Sequence, residues 1–93
     1  MKDNIHLHAI FSGKVQGVSF RVTTQMYAVD LKVLGTVQNL TDGKVELFAE
    51  APRMVLEELL KRLENDEGPS KIEKTEKKYS SEKNSFSTFK ILH

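Results

Sequence analysis

The chain contains no cysteine, which removes disulfide staples, thiolate metal clusters and thiol nucleophiles together. A reducing compartment is compatible with that absence. Nor is there an excess of either charge: 14 basic and 13 acidic side chains leave a formal net charge of +1. Without an overall field to draw it onto nucleic acid or an anionic membrane, any anion site must be local. No stretch approaches the ~20 apolar residues of a membrane span. The start, MKDNIHLHAIF, has Asp3, Asn4 and two histidines where a signal peptide would carry its apolar segment. We therefore expect a cytoplasmic protein with neither a nucleic-acid nor a membrane partner. What is present is a globular balance, 39% apolar and 29% charged over 93 residues. That is enough for one core and too little for two, so residues 1–93 are expected to form a single domain.

Apolar Ile5, Leu7, Ala9 and Phe11 alternate with His6, His8 and Ser12, as in a strand; Ile10 joins the run, so both faces should be at least partly covered. After a break at 13–19, Phe20, Thr24, Tyr27, Leu31 and Leu34 recur on one helical face, predicting a helix that stops near Gly35. Strands over 36–40 and 44–50 flank Thr41-Asp42-Gly43, a hairpin signal. Pro52 suits a helix start, and Val55, Leu56, Leu59, Leu60 and Leu63 form an apolar stripe beside the i, i+4 pairs Glu57–Lys61 and Glu58–Arg62. The lysine-rich 71–78 segment reads as an exposed edge strand, followed by a polar loop over 80–85 and a final short strand over 86–92. The order β-α-β-β-α-β, with a possible short extra C-terminal strand, predicts an α+β, ferredoxin-like sandwich: an antiparallel sheet with two helices on one face. Such a fold does not assign a function.

The segment Gly13-Lys14-Val15-Gln16-Gly17-Val18-Ser19-Phe20-Arg21 lies between a strand and a helix start. Glycine allows positive φ and close approach of the chain to a ligand, and amides at a helix N-terminus point their positive ends at an anion. Arg21 falls in the first turn of the helix, where a cation opposes the helix dipole, so another role is implied for it. Its planar fork of donors matches phosphate oxygens. The glycine spacing fits neither GxxxxGK[ST] nor GxGxxG, and Ser19 lacks the context of a nucleophile elbow, so we read Ser19 as a loop residue. An ordinary strand-to-helix turn remains the competing reading of the segment.

GKVQGVSFR, then Gly35-Thr36-Val37-Gln38-Asn39-Leu40, then Asp42-Gly43-Lys44-Val45-Glu46 closely resemble the two signatures of the acylphosphatase family. The similarity runs through Ala49-Glu50, the second helix, Gly68-Pro69 and the terminal strand. It implies hydrolysis of a small acyl phosphate to a carboxylate and inorganic phosphate, the latter also a competitive inhibitor. It further implies catalytic roles for Arg21 and Asn39. On that basis the phosphate is expected on the amides of Val15, Gln16, Gly17, Val18, Ser19 and Phe20 and on the Arg21 guanidinium, with Asn39 orienting water. No metal or other cofactor is expected, and no second subunit. Thr36 replaces the usual aromatic of the second motif and Ala51 the usual glycine after Glu50; these departures could alter the pocket rim or local packing, and the approach to the second helix. The alternative is a noncatalytic ferredoxin-like anion-binding or sensor module.

His6 and His8 could share one strand face, but two imidazoles without a third ligand read as a solvated face rather than a metal site. Val22, Met26, Val29 and Val33 form a second apolar stripe on the first helix, roughly opposite the core-facing one. The sequence does not say what covers it.

Overall fold

A computed structural model describes residues 3–82 and 86–93. Strands β1 (Ile5–Lys14), β2 (Leu34–Asn39), β3 (Val45–Ala51), β4 (Lys71–Ser80) and β5 (Phe89–Leu92) form one sheet in the order β4-β1-β3-β2-β5, with helices α1 (Phe20–Asp30) and α2 (Arg53–Glu64) in the connections. Of the expected 80–85 loop, residues 83–85 lie outside the described residues. The first four strands pair antiparallel, whereas β5 joins β2 in parallel, with Gln38 opposite Leu92. The C-terminal ends of β2 and β5 therefore lie side by side. Because β1 and β2 both run antiparallel to β3, the chain also leaves β1 at that same end of the sheet.

Alternation decides which strand side chains turn inward. Leu7, Ala9 and Phe11 of β1, Val37 of β2 and Val45, Leu47, Ala49 and Ala51 of β3 meet Phe20 and Ala28 of α1 and Leu56, Leu59, Leu60 and Leu63 of α2. Thr24, also fully buried, satisfies its hydroxyl by donating to the Phe20 carbonyl at 2.8 Å. α2 begins as expected, with Pro52 as its N-cap and the Val55 and Leu56 amides donating to the Pro52 carbonyl. The Glu58–Arg62 pair forms at 3.0 Å, but Glu57 pairs with Arg53 instead of Lys61. β4 is an edge strand, with Lys71, Lys74, Lys77 and Lys78 exposed along it.

The first helix ends at Asp30, four residues before the point expected from its apolar spacing. Lys32 takes up φ +60°, its amide donates to the Val29 carbonyl at 3.1 Å, and the Val33 amide donates to the Ala28 carbonyl at 2.8 Å. This is a Schellman closure with lysine where glycine is usual. It puts Val33 in the core at 2% exposure and makes Leu34 the first residue of β2. The second stripe is thus three residues, Val22, Met26 and Val29, since Val33 does not belong to it.

The other sheet face is not a solvated histidine face either. His6 is buried and its Nδ1 lies 3.0 Å from Glu50 Oε2, while His8 Nε2 lies 2.7 Å from Glu46 Oε2. Gln38 Nε2 donates to Glu46 Oε1 at 3.1 Å, and the His8 ring stacks on Phe48 at 4.5 Å. Cross-strand register produces this arrangement, with His6 opposite Glu50 and His8 opposite Phe48. Among the described residues no group of three or more His, Cys, Asp or Glu is arranged to hold a metal, and no helix is long and apolar enough to cross a membrane.

Candidate active site

The loop after β1 begins at a register shift between Ser12 and Gly13 in the pairing with β4. Gly13 has φ +120°, and a Cβ there would overlap the Lys71 carbonyl, so only glycine lets β1 bend out against its neighbour. Downstream, Gly17 has φ +74° and Ser19 φ +63°, whereas Gln16, Val18 and Phe20 keep negative φ. Alternation of hand is a backbone form that can turn successive amides toward one concave side, as an anion cradle requires. Ser19 is the N-cap of α1, but its side chain makes no capping hydrogen bond. The loop is pinned at both ends of this curve: Val15 is buried, and Phe20 is buried with its ring edge against Phe11 at 5.2 Å.

A pocket of about 340 Å³ opens over this cradle, lined by Val15, Gly17, Ser19, Phe20, Arg21, Val22, Asn39, Ile91 and His93. Six of the eight residues expected to form the site, Val15, Gly17, Ser19, Phe20, Arg21 and Asn39, therefore meet around one cavity. The shared end of β1, β2 and β5 is the reason: the loop follows β1, Asn39 is the last residue of β2, and Ile91 and His93 come from the end of β5 and just beyond it.

Gln16 and Val18 belong to the same loop but do not line the pocket. Val18 packs against the core. Gln16 turns away, and its Nε2 donates to the carbonyls of Leu40 and Lys44, both at 2.8 Å. It ties the loop to the hairpin that carries Asn39, a structural link with no counterpart in local sequence pattern.

Arg21 is held from the far side of the pocket, its Nη1 donating to the Leu92 carbonyl at 3.1 Å. Among the described residues no carboxylate forms an ion pair with Arg21, and no Asp or Glu side chain lines the cavity. Asn39, exposed at the end of β2, makes no side-chain hydrogen bond among the described residues. The arrangement can take a tetrahedral anion against amides and guanidinium while leaving a neutral donor and acceptor at Asn39 free for a water. Ile91, His93 and the Leu92 carbonyl are site components that the sequence does not announce. They depend on the parallel pairing of β5 with β2, which leaves no periodic trace in four residues.

A family model for acylphosphatase matches residues 7–91. The chain belongs to the acylphosphatase family. Among its relatives, the acylphosphatase of Thermobifida fusca is 34% identical over 87 residues, covering 94% of this chain and 96% of that one. The Deinococcus radiodurans acylphosphatase is 40% identical over 78 residues, covering 84% and 90%. The crystal structure of acylphosphatase from Bacillus subtilis superposes with a TM-score of 0.91 at 33% identity, covering 96% of this chain and 99% of that one. The ferredoxin-like fold of the family and its hydrolase class accordingly hold for this chain. Its two departures from the family signatures lie away from the pocket. Thr36 faces Phe48 and Lys90 across the sheet, and Ala51 is a buried last residue of β3 behind which α2 starts regularly.

Proposed function

We propose that residues 1–93 form one domain that hydrolyses the carboxyl–phosphate bond of small acyl phosphates at this pocket, with Arg21 and Asn39 as its catalytic residues. The observation that carries the reading is the meeting of the alternating 16–20 backbone, Arg21 and Asn39 around one cavity. The amides of 15–20 and the Arg21 guanidinium hold the phosphoryl oxygens and neutralise charge as it develops. Asn39 orients a water in line with the leaving oxygen. The water oxygen bonds to phosphorus, the bond from phosphorus to the acyl oxygen breaks, and the carboxylate departs with the bonding pair. The water's proton passes to a phosphoryl oxygen. A leaving group whose conjugate acid has a pKa of about 4 needs no strong general acid at neutral pH, which suits a site whose polar groups position and polarise.

Inorganic phosphate, as product, occupies the same cradle and competes with substrate. Because amides and Arg21 supply the positive electrostatics that Mg²⁺ provides in many phosphoryl-transfer sites, turnover is independent of added metal. The balanced charge speaks against nucleic-acid and anionic-membrane partners, and a monomeric cytoplasmic enzyme completes the proposal. The test is phosphate release from acetyl phosphate beside p-nitrophenyl phosphate, a stable monoester, before and after exhaustive chelation. Turnover of the first alone, unaffected by chelation, is expected. Equal hydrolysis of the monoester, or activity lost to chelator and restored by Mg²⁺ or Zn²⁺, would overturn the proposal.

A further inference from the structure

Val22, Met26 and Val29 are 60%, 57% and 61% exposed, three of the four large apolar side chains more than half exposed among the described residues. Spaced i, i+4, i+7, they share one face of α1 away from the core-facing Phe20, Thr24 and Ala28. The octapeptide from Val22 to Val29 contains no charged residue, although 29% of the chain is charged. α2 keeps Arg53, Glu57, Lys61 and Glu64 in solvent and exposes a single large apolar side chain, Met54, in its first turn rather than a stripe. The stripe on α1 is therefore not built as a solvated surface.

One end of this stripe already belongs to the pocket, since Val22 lines the cavity with Arg21 and Asn39. Helical side chains lean toward the N-terminus of their helix, so Met26 tilts over Val22 and Val29 over Met26, all toward the pocket mouth. Ile91 adds a second apolar wall there.

We propose that this stripe is the acyl-chain track of the enzyme, and that its preferred substrate is the acyl phosphate of a medium-length aliphatic acid. The phosphoryl group sits in the cradle and the hydrocarbon leaves over Val22 to lie along Met26 and Val29. The seven helical steps from Val22 to Val29 span about 10 Å, roughly the reach of an eight-carbon chain. The inference rests on the phosphate position proposed above, because only that position aims the acyl group at Val22.

The experiment compares kcat/KM for acetyl and octanoyl phosphate, kept below micellar concentration. Their carboxylate leaving groups are equally acidic, so the ratio reports binding of the chain. The same ratio is measured in a Met26→Gln, Val29→Thr double variant, which keeps side-chain size but makes the stripe polar. In the native protein octanoyl phosphate should be favoured by about tenfold or more, and the double variant should bring the ratio down to about twofold. A native ratio near one, or a ratio that the double variant leaves in place, would overturn the proposal. So would a native dimer by sedimentation that the double variant converts to monomer with its chain-length ratio unchanged, since the stripe would then be a subunit contact. Arg21→Ala separates the two layers of the argument. If it retains acetyl phosphate turnover and inhibition by inorganic phosphate, the phosphate position itself is wrong; if it loses both while the native ratio is near one, only the acyl track fails.

Discussion

Replacing Gln16 by alanine tests whether the loop and the Asn39 hairpin act as one unit. Its two hydrogen bonds, each 2.8 Å, cross from the loop to the Leu40 and Lys44 carbonyls in a half-buried setting. Neither carbonyl is orphaned by the change, because Lys44 still accepts from the Leu40 amide at 2.8 Å and Leu40 from the Gly43 amide at 3.3 Å. The loss is thus the net worth of two neutral hydrogen bonds, about 2 kcal/mol, without the larger penalty of a stranded buried acceptor. For a domain of this size that corresponds to a fall in Tm of roughly 8–16 °C. The catalytic effect is separate: with the loop untied, Arg21 and Asn39 lose their fixed relation, and kcat/KM should fall about tenfold even at temperatures where the variant is fully folded. Gln16→Glu should be no better, since a carboxylate cannot donate to two carbonyls. Thermal melts and acetyl phosphate kinetics on both variants check this. A Tm within about 2 °C of the native protein together with unchanged kcat/KM would refute the linkage, because two net hydrogen bonds cannot vanish without either consequence.

Arg21→Lys keeps the charge but not the fork, and should lower kcat/KM by at least about 10²-fold while leaving Tm nearly unchanged; kinetics and a melt on one sample measure both. Tyr79 carries a buried hydroxyl with no hydrogen-bond partner among the described residues, so Tyr79→Phe should stabilise the fold by up to about 1 kcal/mol, a result that a clear loss of stability in denaturant titration would refute. Burial raises the Tyr79 pKa above 10.0, with Glu57 adding to the rise and Arg53 opposing it. A raised folded-state pKa means the neutral phenol is favoured in the native state. The associated stability is complete below the unfolded pKa near 10 and is lost as pH climbs from there through the folded value. The alkaline fall in Tm should therefore be shallower in Tyr79→Phe than in the native protein.

Period and punctuation made the sandwich readable. Leu7, Ala9 and Phe11 alternate because one sheet face is buried, and Leu56, Leu59, Leu60 and Leu63 repeat because one helix face is. The end of α1 is not legible in the sequence because the usual stop signal, glycine in the left-handed region, is replaced by Lys32, a residue with no such preference. Gly35, where the stop was expected, lies within β2. The site was legible as far as it is local. Gly17, Ser19 and Arg21 are close in sequence, and the resemblance of the Asn39 segment to a known motif linked it to them. Ile91, His93 and the Leu92 carbonyl were not legible, since they arrive through the pairing of a four-residue strand about fifty residues from Asn39. The direction of the Gln16 side chain and the burial of His6 against Glu50 were hidden for the same reason: both are fixed by partners distant in sequence.

The most direct test of the account is the separation of chemistry from binding at Asn39. In Asn39→Ala, kcat for acetyl phosphate, the affinity for inorganic phosphate and the thermal stability are measured on the same preparation. If Asn39 orients the attacking water, kcat falls by about 10²-fold or more, while phosphate still binds within about threefold of its native affinity and still raises Tm by mass action. A lower Tm with normal turnover per folded molecule would contradict the account, because Asn39 would then serve only the hairpin in which it sits.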